Sequence, residues 1–164
     1  MNTPWTHAEL VERAGRWLRN SAHTKMDMGK PEVRRCGVVL TDPLGADEHP
    51  DAIGWFGGGI SILIECKASR SDFLADKRKW TRRVCEQNGE KHGMGQYRFY
   101  MSPPGIIHLD DLADSKWGLL VCVCRSAKTR KLSGRFTCNQ RAEFGLLWSG
   151  LRAAQLAEKA RMSK

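Results

Sequence analysis

Residues 51–67 read DAIGWFGGGISILIECK, two apolar runs separated by three consecutive glycines. The glycines predict a tight reversal, because glycine adopts the positive φ angles that such turns require. The runs on either side, Ala52–Phe56 and Ile60–Lys67, are rich in the β-branched and aromatic residues that favour strands. We therefore predict a β-hairpin built from these two segments.

The second strand of this hairpin interrupts its own apolar pattern at its end. Side chains alternate across a strand, so Glu65 and Lys67 lie on one face about 7 Å apart, while Ile64 and Cys66 lie on the other. An acid and a base on one face of a buried strand are expected mainly at a functional site. The alternative is a surface ion pair of Lys67 with an acid, which contributes little and leaves the interrupted pattern unexplained.

Hairpin pairing predicts that Asp51 lies alongside Glu65. These two carboxylates and the backbone carbonyl of Cys66 form an oxygen-rich site for a hard divalent cation such as Mg²⁺. A cation there lowers the pKa of a bound water and offsets charge on a phosphate, and Lys67 orients the water or stabilises the developing charge. Asp51, Glu65 and Lys67 are therefore the predicted catalytic residues of a phosphodiesterase, with Asp51, Glu65 and Cys66 as its metal ligands.

These residues also resemble a known family. Pro50-Asp51, thirteen intervening residues and Glu65-Cys66-Lys67 match the pattern Pro-Asp…(Asp/Glu)-x-Lys of the PD-(D/E)XK nuclease superfamily. The segment IECKASRSDF that begins at Ile64 looks like the bacterial and phage branch that includes MmcB-like DNA-repair proteins. The resemblance covers roughly residues 10–120. It implies a restriction-endonuclease-like core and hydrolysis of DNA, with Mg²⁺ or Mn²⁺ held by the acidic pair and assistance from the lysine.

A further carboxylate at the site is left open by the sequence. Members of the superfamily often add an acidic residue from the first helix, for which Glu9 and Glu12 are candidates, and Asp42 before the hairpin is another. The alternatives are that Glu9 and Glu12 are solvated helix-surface residues and that Asp42-Pro43 opens a turn.

The remaining chain predicts one α/β domain over residues 1–164. Apolar residues at helical spacing predict a helix over residues 6–20, Ser71 is available to cap a second from Asp72 to Cys85, and a C-terminal helix is expected over about 140–161. Further strands are predicted over residues 35–41, 96–101 and 118–125, whereas residues 21–31 are polar and turn-rich. The order predicts a central mixed β-sheet of about five strands flanked by helices.

The balance of charge suits a polyanionic partner. Twenty-seven Lys and Arg against 18 Asp and Glu give a net charge of +9, and each neutralised phosphate releases condensed counterions. Nucleic-acid contacts are predicted along the second helix, at Arg70, Lys77, Lys79, Arg82 and Arg83. The alternative is a solvated helix face on which Asp72 and Asp76 pair with Lys77 or Arg83.

Two other groups have open roles. The basic residues Lys128, Arg130, Lys131 and Arg135 form either a second contact or a mobile hairpin tip. Tyr97, Phe99 and Tyr100 stack on unpaired bases or, as the alternation of Tyr97 with Phe99 favours, belong to the core. Gln96 and Arg98 beside them are candidates for lining the cleft.

Composition also bears on the cellular setting. Six cysteines without a Cys-x-x-Cys pair make a zinc site or disulfides unexpected. No apolar run approaches the ~20 residues of a bilayer span, and the N-terminal residues lack the pattern of a secretion signal, so a cytoplasmic protein is expected. Many relatives work as dimers, which suggests a homodimer by analogy alone.

The sequence thus favours a Mg²⁺- or Mn²⁺-dependent deoxyribonuclease acting in DNA repair, recombination or phage DNA processing. One alternative is a catalytically silent DNA-binding or repair-accessory protein on the same fold. Another is a phage-encoded interaction protein that uses its basic face to occupy a host target. Metal-dependent cleavage separates the enzyme from both alternatives.

Overall fold

The computed structural model describes residues 5–25, 31–43, 49–78, 93–124 and 126–162. Within these ranges the helices are α1 (His7–Asn20), α2 (Arg70–Lys77) and α3 (Gln140–Met162), with one 3₁₀ turn at Leu109–Leu112. The strands are β1 (Ala22–Lys25), β2 (Pro31–Arg34), β3 (Val38–Thr41), β4 (Ala52–Trp55), β5 (Ser61–Cys66), β6 (Tyr97–Ser102), β7 (Gly118–Val123) and β8 (Ser126–Lys131).

A six-stranded mixed sheet forms the centre of the fold, with the order β3-β4-β5-β6-β7-β8. The pairs β3–β4, β4–β5 and β7–β8 are antiparallel, whereas β5–β6 and β6–β7 are parallel. The carboxyl ends of β5, β6 and β7 therefore lie side by side at one end of the sheet, together with the start of β4. Glu65 and Lys67 lie at this end.

Both faces of the sheet are covered by apolar side chains. On one face, Leu10 and Trp17 of α1 pack in the same buried cluster as Ile64 and Phe99. On the other, Leu63 and Tyr100 pack with Phe73 of α2. Alternating residues of β5 enter opposite clusters, which is why all six are buried. Two covered faces explain the nearly continuous apolar run of β5.

The predicted hairpin and fold class are confirmed. β4 and β5 pair with Ala52 opposite Ile64, and the turn between them contains Gly58 and Gly59 at φ angles of 85° and 76°, which side chains with a Cβ rarely adopt. The first helix and the C-terminal helix also agree with their predicted ranges to within one residue at each end.

Several details of the sequence prediction are wrong. The sheet has six strands rather than about five, because the basic segment after Val123 forms the edge strand β8. The polar segment after α1 contains a two-stranded antiparallel sheet, β1–β2. Helix α2 begins at Arg70, since Ser69 rather than Ser71 accepts the hydrogen bond from the Asp72 N–H. Residues 79–85 of the predicted second helix lie outside the described residues.

A buried acid joins α3 to the hairpin. Glu143 accepts hydrogen bonds from Trp55 Nε1 at 3.0 Å and from Ser61 Oγ and Gly95 N at 2.8 Å each. Donors from three segments satisfy one buried carboxylate, which is the condition under which burying a charge is tolerated. The contact holds the N-terminal half of α3 against β4 and β5.

Among the described residues, no helix combines the length and the apolar character that a bilayer span requires.

Candidate active site

Asp51 lies at the open end of the β4–β5 hairpin. Its carbonyl accepts a hydrogen bond from the Asp42 N–H at 3.0 Å, which continues the β3–β4 ladder by one step. Its side-chain oxygen Oδ2 accepts from the backbone N–H of Cys66 at 2.6 Å. Continuing the register of Ala52 with Ile64 sets Asp51 opposite Glu65. The acid of one strand thus reaches the end of the strand that carries the acid and the lysine.

The electrostatic setting of Asp51 is a balance of opposing effects. Burial disfavours the charged carboxylate and is the largest influence on its pKa. The hydrogen bond from Cys66, the neighbouring His7 and the positive charge of Lys67 act in the opposite direction, but the net pKa remains raised. A cation bound nearby would offset the free-energy cost of burying the charged carboxylate.

Lys67 is enclosed between two acids. Its Nζ lies 3.4 Å from Glu65 Oε2 and 3.4 Å from Asp76 Oδ1, and all three side chains are at least nine-tenths buried. Burial alone would lower the pKa of the ammonium group. Surrounding carboxylates, led by Glu65 and Asp76, outweigh that effect and raise the pKa above its usual value. Lys67 is therefore a cation throughout the physiological pH range.

Asp76 was not identified as a site residue from the sequence. It lies on the buried side of α2, 1% exposed, and its Oδ2 accepts a hydrogen bond from the Tyr100 hydroxyl at 3.0 Å. The expectation that Asp76 pairs on a solvated face with Lys77 or Arg83 is wrong, because α2 packs this side against β5 and β6. Asp76 lies three residues after the apolar Phe73, so helical spacing places both on one face of α2. This spacing could have predicted that Asp76 points toward the sheet.

A second group of possible metal ligands meets at Asp51. One ligand atom each from His7, Asp42 and Asp51 lie within 4.8 Å of one another, and His7 Nε2 is 3.2 Å from Asp51 Oδ1. Asp42 was a candidate from the sequence, and its position agrees with that suggestion. His7 was missed, because it has no neighbouring ligand in the sequence and reaches Asp51 only through the packing of α1.

Glu9 and Glu12 have other contacts. Glu9 completes a capping box with Thr6 at the start of α1, accepting from the Thr6 N–H and hydroxyl at 2.8 Å each. Glu12 pairs with Arg16 one turn later. The alternative of helix-surface roles for both residues therefore agrees with the structure.

Part of the predicted ligand set is brought together at this strand end. Asp42 and Asp51 offer carboxylate oxygens and His7 an imidazole nitrogen, all within 4.8 Å of one another. Glu65 is not in this group and pairs with Lys67, so its role as a ligand stays a prediction. In an antiparallel ladder the N–H and C=O of one residue point to the same neighbour, so the Cys66 carbonyl faces Asp51 as its N–H does. The Cys66 thiol is excluded as a ligand, because it packs in the α1-side core and burial raises its pKa well above the usual value.

The predicted nucleic-acid contacts fall into two groups. Arg70 makes a paired hydrogen bond to both oxygens of Asp111, and Lys77 Nζ donates to the Asp111 carbonyl at 2.7 Å. Both cations are thus engaged within the protein, and phosphate contact by either stays a prediction. Lys79, Arg82 and Arg83 lie outside the described residues.

The second basic segment lies on β8. Lys128 is exposed and pairs across the ladder with Val121, whose side chain belongs to the same core face as Leu63. Because directly opposed residues share a face, Lys128 lies on the Glu65 face of the sheet. Arg130 is exposed as well, whereas Lys131 donates to the Leu112 and Ser115 carbonyls. Lys128, Arg130 and Lys131 therefore lie in a strand rather than in a hairpin tip, whereas Arg135 follows the end of β8.

The aromatic residues of β6 belong to the core. Tyr97 and Phe99 are buried, as favoured by their alternation, and Tyr100 is buried between Phe73 and Trp117. Base stacking by Tyr100 is therefore wrong. Arg98 is also wrong as a cleft residue, because its buried guanidinium lies over the Phe136 ring, 4.5 Å from the centroid.

A cavity of about 560 Å³ lies at the other end of β6. Since β6 runs parallel to β5, the start of β6 is remote from the strand end that carries Lys67. We take the charged strand end rather than this cavity as the candidate site, because none of the described residues that line the cavity carries a carboxylate. They are Gln96, Lys116, Arg135, Phe136, Thr137, Cys138 and Gln140.

Comparison with known proteins adds information on the fold. No family model matches the chain, and no curated protein matches it. A solved structure, the SPO1766 protein of unknown function from Silicibacter pomeroyi, is similar, with a TM-score of 0.53 and 18% identity over 76% of this chain and 81% of that one. At this identity the likeness concerns the fold alone.

Proposed function

We propose that this protein is a metal-dependent nuclease that hydrolyses phosphodiester bonds of DNA. The observation that carries the proposal is the hydrogen bond from the Cys66 N–H to Asp51 at 2.6 Å. It joins the acid at the start of β4 to the strand end that carries Glu65 and Lys67. An oxygen-rich ligand set and a buried cation beside it are the groups that phosphodiester hydrolysis needs.

Each residue has a distinct part in this proposal. Asp51, Glu65 and the Cys66 carbonyl would hold Mg²⁺ or Mn²⁺, and Asp42 and His7, whose ligand atoms lie within 4.8 Å of one of Asp51, would be available as further ligands. When bound, the cation supplies an activated water and neutralises charge on the phosphate. Lys67 lies beside the proposed ligands, with its Nζ 3.4 Å from Glu65 Oε2. It would donate a hydrogen bond to a phosphate oxygen or to the water.

The distribution of charge supports DNA as the substrate. The chain carries a net charge of +9, and the exposed Lys128 and Arg130 lie on the edge strand three strands from β5. Lys128 shares the sheet face of Glu65, and its strand β8 lies about 14 Å from β5 by strand spacing. That separation is comparable to the width of a DNA groove, so Lys128 suits a contact with the phosphate backbone flanking the cleaved bond.

The proposal places the activity in the cytoplasm, where thiols stay reduced. All five cysteines within the described residues are free thiols, a state that suits a reducing compartment.

A cleavage panel tests the proposal. Linear, nicked, single-stranded and branched DNA and a matched RNA are incubated with the protein in Mg²⁺, Mn²⁺ or EDTA. The variants are Glu65→Gln, and Glu143→Gln as a matched control, because Glu143 is equally buried but lies away from the site. We expect cleavage by the wild type and Glu143→Gln in metal, and none by Glu65→Gln.

Two outcomes would contradict the nuclease assignment. Equal cleavage by Glu65→Gln would point to a contaminating enzyme or to another site. Metal-independent DNA binding without any cleavage would favour the alternative, a DNA-binding or repair-accessory protein that keeps the fold without turnover.

A further inference from the structure

Asp76 is a buried charge that the proposed reaction does not use. It is a fully enclosed carboxylate on α2 that contacts Lys67 at 3.4 Å and Tyr100 at 3.0 Å. A buried acid is costly unless it is paired and hydrogen-bonded, so its position beside the candidate catalytic lysine requires an explanation.

The number of acids and bases around Lys67 suggests why Asp76 is there. The buried cluster of Glu65, Asp76 and Lys67 contains one base and two acids, each of which lies 3.4 Å from the Lys67 ammonium group. If Lys67 needed a single counterion, Glu65 alone would suffice. In the proposed reaction the Glu65 carboxylate would also bind the cation, so it would hold the ammonium group less firmly. Asp76, which is not among the proposed ligands, supplies a second acid at 3.4 Å from Lys67 Nζ.

We propose that Asp76 is a positioning residue that holds the Lys67 ammonium in place while Glu65 serves the cation, and that the Tyr100 hydroxyl holds Asp76. The inference rests on the proposed nuclease function. Three elements take part, because Lys67 follows β5, Asp76 lies on α2 and Tyr100 on β6. The packing of α2 against the sheet thereby sets the position of the charged group that faces the phosphate.

The geometry around Tyr100 supports this arrangement. Its ring stacks on Trp117 at a centroid distance of 4.4 Å and meets Phe73 edge-on at 5.2 Å. Two aromatic contacts restrict the ring, so its hydroxyl is presented to Asp76 Oδ2 in one orientation. The other oxygen of Asp76, Oδ1, lies 3.4 Å from Lys67 Nζ.

A double-mutant cycle on stability tests the contact without requiring activity. Unfolding midpoints are measured for the wild type, Lys67→Met, Asp76→Asn and the double variant. Lys67→Met leaves two buried carboxylates without their cation, and we expect a large loss of midpoint. Adding Asp76→Asn removes one of those charges, so it should raise the midpoint in the Lys67→Met background although it lowers it in the wild type.

Steady-state kinetics with Mn²⁺ test the positioning role. Asp76→Asn is expected to lower kcat by about 10- to 100-fold, the range for partners that orient a metal-site group, with KM and the Mn²⁺ requirement little changed. Tyr100→Phe keeps the ring contacts and should lower kcat less. Asp76→Glu, which restores the charge, should recover part of the loss. Glu143→Gln is the control, expected to lower the midpoint without changing kcat.

The outcomes separate the two hypotheses. The positioning role is overturned if Asp76→Asn lowers the unfolding midpoint equally in the wild type and in Lys67→Met. It is also overturned if Asp76→Asn leaves kcat of an active enzyme unchanged. Either result would mean that Asp76 only anchors α2 to the sheet. If the wild type cleaves no nucleic acid, the proposed function fails and the catalytic part of the inference fails with it. The stability cycle still decides in that case whether Asp76 and Lys67 are coupled.

Discussion

The backbone N–H of Cys66 donates to the carboxylate of Asp51 across the open end of the β4–β5 hairpin, at 2.6 Å. This bond uses one lone pair of Oδ2 and leaves the other carboxylate positions available, since an ionised carboxylate has about four acceptor sites. It also brings Asp51 next to the residue between Glu65 and Lys67. Cation binding at Asp51 is thereby compatible with the bond that positions it.

Replacing the central residues is expected to abolish cleavage while the chain remains folded at the assay temperature, although the loss of Lys67 lowers the unfolding midpoint. Glu65→Ala removes a ligand, Asp51→Asn removes a negative charge but keeps an acceptor for Cys66, and Lys67→Ala removes the cation that faces the phosphate. We expect kcat to fall by at least 10²- to 10³-fold for the lysine variant, the usual effect of losing one charge-stabilising donor. Circular dichroism checks the fold, and unchanged cleavage by Asp51→Asn would mean that another carboxylate binds the metal.

His7 is expected to influence which metal the site prefers. Imidazole suits transition metals better than Mg²⁺, which strongly prefers oxygen, so a His7 contribution should favour Mn²⁺. We expect His7→Ala to raise the Mn²⁺ concentration for half-maximal activity by about 10-fold or more, with a smaller change for Mg²⁺. His108→Ala, at an exposed histidine outside the His7–Asp42–Asp51 group, is the control. Equal changes for both metals would remove His7 from the site.

The exposed cations of β8 are expected to contribute to the salt dependence of DNA binding. Lys128→Ser with Arg130→Ser removes two charges, so the slope of log affinity against log salt should become shallower by about 1.8 if both contact phosphates of duplex DNA. Arg152→Ser with Lys159→Ser on α3 removes the same charge elsewhere on the exposed surface. If both pairs change the slope equally, the effect is one of net charge rather than of a defined track.

The basic residues that follow α2 carry a prediction that rests on sequence alone. Replacing Lys79, Arg82 and Arg83 together should weaken DNA binding and make the salt slope shallower by about 2.7 if each contacts a phosphate. Binding titrations over a range of salt concentrations measure this. An unaltered slope would place the phosphate track elsewhere, for example along β8.

The Arg70–Asp111 pair is expected to make stability depend on acid pH. The hydrogen bond from Arg70 holds the pKa of Asp111 down at about 2, below the usual value of 3.8. A lowered carboxyl pKa stabilises the fold above the unfolded-state value, and this contribution is lost as the pH falls from about 4 to about 2. Asp111→Asn should therefore lower the unfolding midpoint at pH 7, and the difference from wild type should shrink over that interval. A pH-independent difference would indicate packing rather than charge as its cause.

The hairpin shows which structural features can be predicted from residues that are close together in the chain. Three glycines between two β-prone runs permit one compact arrangement, and pairing the runs brings Asp51 to the end of β5 whatever the rest of the chain does. The face of Glu65 and Lys67 follows from strand alternation. These features depend on residues that are close together in the chain, so the order of amino acids is enough to predict them.

The limits of local pattern appear at α2 and β8. Ser69 and Ser71 are both acceptable caps by residue type, and in the structure Ser69 accepts the hydrogen bond from the Asp72 N–H. The alternating apolar signal of β8 is weak because an edge strand is half solvated, so its basic residues resembled a loop.

His7 and Asp76 show what required the tertiary structure. Each is an ordinary helix residue by pattern, and each meets its partner only when α1 and α2 pack against the sheet, since that packing depends on apolar contacts between distant segments. The identity of the central residues was thus inherent in short-range spacing. The contact of Asp76 with Lys67 and that of His7 with Asp51 depend on the tertiary structure. The free energy of placing charged groups side by side depends on the solvent that the assembled fold excludes.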